Sequence, residues 1–257
     1  MTRRLFAGAA AFVFLAASAS YLSAGTERLH PLRLKERCVN KRDRARIVVF
    51  RASDGARLIG VSLGSGRVGV ALGHESDGTL CNWMPFARIL KQNGYRVLAF
   101  DFRGWGSSPE VGGNRRARID LDFAAAATRL RKFGAEKIVF AGASIGANAA
   151  LAAATEVTPP VSAVVSLSAG DSTFSSRLDG SVTVPKLTVP VLFMVAERDS
   201  SFTEAARKLY SQTLAVDKKL LIVPGGAHGT RMLRGAAGAG PRAAVLDFVR
   251  VHTAETN

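Results

Sequence analysis

Cysteine is almost missing from this chain, which has only Cys38 and Cys81 in 257 residues. Two cysteines cannot make a structural zinc site, and no C-x-x-C pair occurs, so no metal centre is expected. Histidine is nearly as scarce: any histidine base must come from His30, His74, His228 and His252. Aromatic residues amount to 7% and do not interleave with the basic clusters. With no recognised nucleic-acid motif either, nucleic acid is not an expected partner. Acidic residues are outnumbered, 20 against 35 Lys and Arg, which leaves a formal charge of +15. The excess gathers at Arg33, Lys35, Arg37, Lys41, Arg42, Arg44 and Arg46, and again at Arg115, Arg116 and Arg118. Such clusters are either ordinary solvated surface or a means of electrostatic association with an anionic cell envelope.

What the N-terminus does have is an export pattern. Arg3-Arg4 precedes an apolar stretch over residues 5–17, and Ala17-Ser18-Ala19 offers the small residues a signal peptidase accepts. The stretch is short for a membrane span. Residues 1–19 are therefore expected to be a signal peptide and the protein to be secreted or periplasmic, an uncleaved N-terminal anchor being the alternative. In that oxidising compartment Cys38 and Cys81 are expected to pair. The bond would tie an N-terminal extension, residues 20–45, to a main domain over 46–252, with 253–257 as a tail. Two separate buried thiols are the other possible outcome.

A hydrophobic content of 47% with 21% charged residues is that of a globular protein with a real core. Residues 47–51 and 57–63 flank Ser53-Asp54-Gly55-Ala56, a hairpin signal, and a third strand-like run covers 68–72. The rhythm then becomes helix and strand: helices over 84–92 and 120–133, closed by Gly94 and Gly134, alternate with strands over 96–100 and 137–141. Strands at 161–167, 191–196 and 219–223 follow, with helices near 203–211 and 242–251. This predicts an α/β fold with a mostly parallel central sheet, crossover helices on its faces and antiparallel strands at its opening. The irregular stretch 168–190 is too short and too polar for a large apolar lid.

Gly142-Ala143-Ser144-Ile145-Gly146 sits between an apolar strand and an alanine-rich helical stretch. A serine on so tight a strand-to-helix turn needs small neighbours and is held exposed by backbone strain. The N–H of Ile145, at the helix N-terminus, is placed to stabilise an oxyanion. The pentapeptide alone also fits a glycine-flanked helix cap. Chain order separates the two, because Asp199 and His228 follow Ser144 in the sequence nucleophile, acid, base. Asp199 follows an apolar strand, at the edge where such sheets place their sites, with Glu197 and Asp171 as the other candidate acids. His228 lies in a glycine-flanked loop that leaves it free to reach a nucleophile, and His74 is its competitor.

Five segments together resemble the α/β-hydrolase superfamily over about residues 46–251. They are Gly73-His74-Glu75-Ser76, Asp101-Phe102-Arg103-Gly104-Trp105-Gly106-Ser107-Ser108, the Ser144 elbow, Ala196-Glu197-Arg198-Asp199 and Gly225-Gly226-Ala227-His228-Gly229. Within the superfamily the chain is similar to small bacterial serine esterases near the dienelactone-hydrolase-like group. The resemblance implies an α/β-hydrolase fold with a minimal lid and no cofactor. It implies catalysis by Ser144, His228 and Asp199, with the amides of Ile145 and Ser76 as the oxyanion hole. His74 would brace the oxyanion loop, and the loop from Asp101 to Gly104 would be scaffold beneath the nucleophile.

Two departures from the family pattern matter. Dienelactone-type proteins commonly carry a cysteine nucleophile where this chain has serine, so their substrate is not carried over. The usual histidine-glycine pair is here His74-Glu75. A carboxylate facing the oxyanion would oppose catalysis; one pointing away would change only local polarity. Glu75 and Trp105 are expected at the substrate-binding surface, and Trp83 either walls the cleft or belongs to the core. The expected function is an exported serine hydrolase cleaving small or medium carboxylic esters through an acyl-enzyme. A thioesterase, amidase or acyltransferase would use the same residues. The rival from another class is a non-catalytic protein of this fold holding an anionic envelope partner, with Glu75 as the feature that favours it.

Overall fold

A computed structural model describes residues 34–255. The expected signal peptide and the first part of the extension lie outside the described residues. The described chain forms one sheet of eight strands in the order β1-β2-β4-β3-β5-β6-β7-β8. These are β1 (Arg46–Arg51), β2 (Arg57–Leu63), β3 (Val68–Gly73), β4 (Arg96–Asp101), β5 (Lys137–Ala143), β6 (Ala163–Leu167), β7 (Val191–Ala196) and β8 (Lys218–Val223). β1 and β2 form the hairpin, and β2 pairs antiparallel with β4. From β4 through β3 to β8 every pairing is parallel. The strand elements thus follow the sequence pattern closely, but β2 and β3 do not pair, because β4 returns between them.

Helices cover both faces, which is why the central strands read as continuous apolar runs: β6 and β7 are buried at every position. On one face α2 (Ile119–Lys132), α3 (Ile145–Ala154), the short α4 (Gly180–Thr183) and α5 (Ser201–Gln212) pack over a core containing Phe50, Phe100, Phe102, Phe123 and Phe140. On the other, α1 (Met84–Gln92) and α6 (Ala239–Thr253) cover Trp83, Phe86, Met194 and Phe248. Trp83 is fully buried with its indole N–H donating to Gly73 O at 2.8 Å, so of the two roles open to it the core is the one it fills. All residues of α3 are buried; its small alanines let it lie close against the strand that delivers Ser144.

Cys38 and Cys81 are joined in a disulfide across 43 residues of sequence. Arg88 of α1 reinforces that attachment, reaching Asp43 at 2.7 and 2.9 Å and Cys38 O at 2.7 Å. Closing a loop of this length stabilises a fold by about 4 kcal/mol in the chain-entropy picture. Among the described residues no helix is long and apolar enough to cross a membrane.

Candidate active site

The turn at Ser144 is as tight as its composition implies. Ser144 has φ 54° and ψ −122°, outside the regions where L-residues rest, and its N–H is held by Leu167 O of β6 at 2.8 Å. A Cβ on Gly142 would lie 2.0 Å from Gly146 O, and one on Gly146 would lie 2.5 Å from Gly73 O. Both glycines are therefore required by close approach of backbone, within the turn and across to the loop after β3. Ile145 opens α3, so its N–H is one of the helix's unpaired N-terminal donors.

His228, in the loop after β8, directs Nδ1 at both carboxylate oxygens of Asp199, at 2.9 and 3.0 Å. Asp199 is 6% exposed and lies just beyond β7. The other two candidate acids are engaged elsewhere. Glu197 pairs with Arg198 at 2.5 Å, and Asp171 pairs with Lys208 at 2.9 Å, an ammonium that holds its carboxyl below the usual range. Asp199 has a second partner that sequence reasoning missed: the Ser168 hydroxyl donates to its Oδ2 at 2.6 Å and accepts from Gly229 N at 3.0 Å. Ser168 so couples the carboxylate to the histidine loop. Its φ of 53° repeats the left-handed strain of Ser144 one strand along. A small polar residue directly after the apolar run of β6 was the available signal.

His74 is fully buried and both ring nitrogens are occupied. Phe102 N donates to Nε2 at 3.2 Å, so Nδ1 carries the hydrogen and donates to Glu75 O at 2.6 Å. Burial lowers its pKa to about 4, which keeps it neutral. Fixing Glu75 O also fixes the N–H of Ser76, because both belong to one planar peptide. The next carbonyl, Ser76 O, accepts the indole N–H of Trp105 at 2.8 Å.

The Glu75 carboxylate points toward the histidine loop. Oε1 accepts from Thr230 N at 2.7 Å and from the Thr230 hydroxyl at 2.6 Å, and Oε2 accepts from Asn82 Nδ2 at 2.9 Å. It is 4% exposed and fully engaged with protein groups. Glu75 thus ties the loop bearing Ser76 to the loop bearing His228. Arg103 is scaffold: fully buried, it grips Asp122 at 2.6 Å and Asp54 at 2.5 Å.

Ser144 and Ser76 open together onto a cavity of about 190 Å³ whose walls include Ile145, Asn148, Phe174 and Phe202. A second cavity of about 420 Å³ shares Ser76 and Phe174 and is bounded by Trp105, Asn114 and Ala117. Asn148 shapes the first by holding Gly170 and Leu178 through three hydrogen bonds of 2.7–2.9 Å. Phe202 connects the halves of the site, since it lines the Ser144 cavity and packs at a tilt against His228 with ring centroids 4.5 Å apart. Among the described residues no hydrogen bond yet joins the Ser144 hydroxyl to His228, and no cluster of residues suited to a metal ion occurs.

Residues 69–183 match the family model described as the alpha/beta hydrolase fold. No curated protein matches the sequence. Solved structures similar to this chain include an esterase from Pyrococcus furiosus, at 18% identity and TM-score 0.67 over 82% of this chain and 91% of that one. A monoacylglycerol lipase from Paleococcus ferrophilus aligns at 17% identity and TM-score 0.63, covering 76% and 99%. A dienelactone hydrolase from Anabaena variabilis aligns at 20% identity and TM-score 0.62, covering 81% and 97%. Sheet order, flanking helices, strained serine turn and these similarities agree: the chain has the α/β-hydrolase fold.

Proposed function

We propose that this protein is an exported serine hydrolase that cleaves small or medium carboxylic esters through an acyl-enzyme. The observation that carries the reading is the bond from His228 Nδ1 to Asp199 beside the strained Ser144 turn. With Nδ1–H donating to a carboxylate, Nε2 is the unprotonated base. Ser144 Oγ attacks the ester carbonyl while Nε2 takes its proton. The oxyanion is held by the N–H groups of Ile145 and Ser76, and the C–O bond breaks as Nε2 returns the proton to the leaving alcohol. Water then repeats the sequence on the acyl-enzyme, releasing the acid and restoring Ser144.

The esterase and lipase names of similar structures support an ester over other acyl substrates. The Cys38–Cys81 disulfide supports a location outside the cytoplasm. The open cleft, walled by Phe174 and Trp105, supports small or medium acyl groups. Glu75, the residue that favoured a non-catalytic binding protein, turns its carboxylate to Thr230 and Asn82, and this orientation supports the hydrolytic reading.

The test is intact-mass and peptide mapping after exposure to a fluorophosphonate. Stoichiometric labelling at Ser144, abolished in Ser144→Ala and suppressed in His228→Ala, is the expected result. Folded protein that takes no label would overturn the proposal and return the binding-protein reading.

A further inference from the structure

The His228 loop carries charge that the proposed reaction does not use. A third cavity, of about 140 Å³, is lined by Glu75, Asp77, Asn82, His228, Arg231 and Arg234, and so is polar at every wall. It touches the histidine but not Ser144, whereas the more apolar Ser144 cavity does not include His228. In an acyl transfer the base hands its proton to the departing alcohol, so the alcohol half of the ester must lie on the histidine side.

Two features say what that half looks like. Arg231 and Arg234 are both exposed, and neither guanidinium has an ion pair or hydrogen bond among the described residues. They project from a braced segment, because Arg242 of α6 donates to Leu233 O and Gly235 O, each at 2.8 Å. The acidic neighbours do not cancel them equally. Glu75 already receives three hydrogen bonds, which leaves exposed Asp77 as the opposing free charge. The same two arginines also rim a fourth cavity of about 560 Å³ between β8 and α6, walled largely by apolar residues such as Leu221, Val223, Met232 and Ala244. Guanidinium groups at the border of an apolar groove suit an anion attached to an apolar group.

We infer that the alcohol half of the substrate is an anionic amphiphile: its charged group lies between Arg231 and Arg234 and its apolar part lies in the groove between β8 and α6. The assignment of this site to the alcohol half rests on the serine-hydrolase reading above; the binding site itself does not.

Isothermal titration of the purified full chain separates the two. Octyl phosphate is expected to bind at least tenfold more tightly than octyl glucoside and more tightly than inorganic phosphate. Arg231→Glu/Arg234→Glu should remove the advantage, while Asp77→Asn should increase it. Octyl phosphate should also slow fluorophosphonate labelling of Ser144. Equal affinity for the two octyl compounds, or an advantage that survives the double substitution, overturns the anion site. Inorganic phosphate binding as tightly as octyl phosphate overturns the groove. Tight binding with no labelling of Ser144 under any condition keeps the site but removes its role as the alcohol subsite, which is the failure of the hydrolase reading alone.

Discussion

The loops after β3 and β8 each present a histidine at the same edge of the sheet, and the fold treats the two rings in opposite ways. His74 is sealed, with Nδ1 and Nε2 both bonded to backbone and its pKa held near 4 by burial. His228 has a side chain 19% exposed, one nitrogen fixed by Asp199 and the other without a bond among the described residues. A ring with both nitrogens bonded can only position its neighbours; a ring with one nitrogen bonded and one free can move a proton. Residue type is the same in both loops, and the number of hydrogen bonds made by each ring is what separates the proposed base from the proposed brace.

Substituting each histidine in turn is the strongest way to break that contrast. His228→Ala should lower kcat/KM for an activated ester such as p-nitrophenyl butyrate by about four to six orders of magnitude with little change in thermal stability. His74→Gln should instead lower kcat by roughly ten- to a hundredfold and also lower the melting temperature, since it loosens the peptide that aims the Ser76 N–H. If His74→Gln proved as inactive as His228→Ala while remaining equally stable, the roles assigned here would have to be exchanged.

Sequence pattern anticipates the strands and helices well because apolar runs and glycine stops report local and face-by-face constraints. It anticipates less where the constraint is made by distant segments. Nothing local says that β4 enters between β2 and β3, or that Ser168 will stand between Asp199 and Gly229. Glu75 is the clearest case. In sequence it is a departure from a glycine, and its partner Thr230 lies 155 residues away. Only the folded chain gives its orientation.

Glu75 offers a smaller, sharper test of the comparison, because it is the covalent neighbour of the sealed histidine and the hydrogen-bond partner of the free one's loop. Glu75→Ala leaves the buried Thr230 N–H without an acceptor and should reduce stability by about 1.5–3 kcal/mol. It should lower kcat more than it changes KM, through the freed histidine loop, and Glu75→Gln should recover part of the loss. A tenfold lower kcat/KM is expected for Ser168→Ala, which removes a donor to Asp199 and the acceptor of Gly229 N but leaves the His228–Asp199 bond in place. An unchanged rate would mean that the carboxylate needs no second support.

The sealed side carries one further signature, read in stability against pH. Asp101 is fully buried and its pKa is raised to about 7, by burial first and then by the neighbouring Glu36 carboxyl, despite hydrogen bonds from Leu80 N at 2.7 Å and Ser107 N at 2.9 Å. A carboxyl whose folded pKa lies above its unfolded value stabilises the fold at low pH, and that stability is lost as pH rises from about 4 through 7. His74 acts in the other direction: its folded pKa is depressed, so its contribution is present above about 6.5 and is lost as pH falls toward 4. Over most of the shared range these two slopes oppose each other. Asp101→Asn removes only the rising-pH loss. Its melting temperature relative to wild type should therefore climb by a few degrees between pH 4 and pH 7 and then level off, with Glu36→Gln giving a weaker version of the same trend. A difference that stays constant across this range would show that Asp101 does not change protonation on folding.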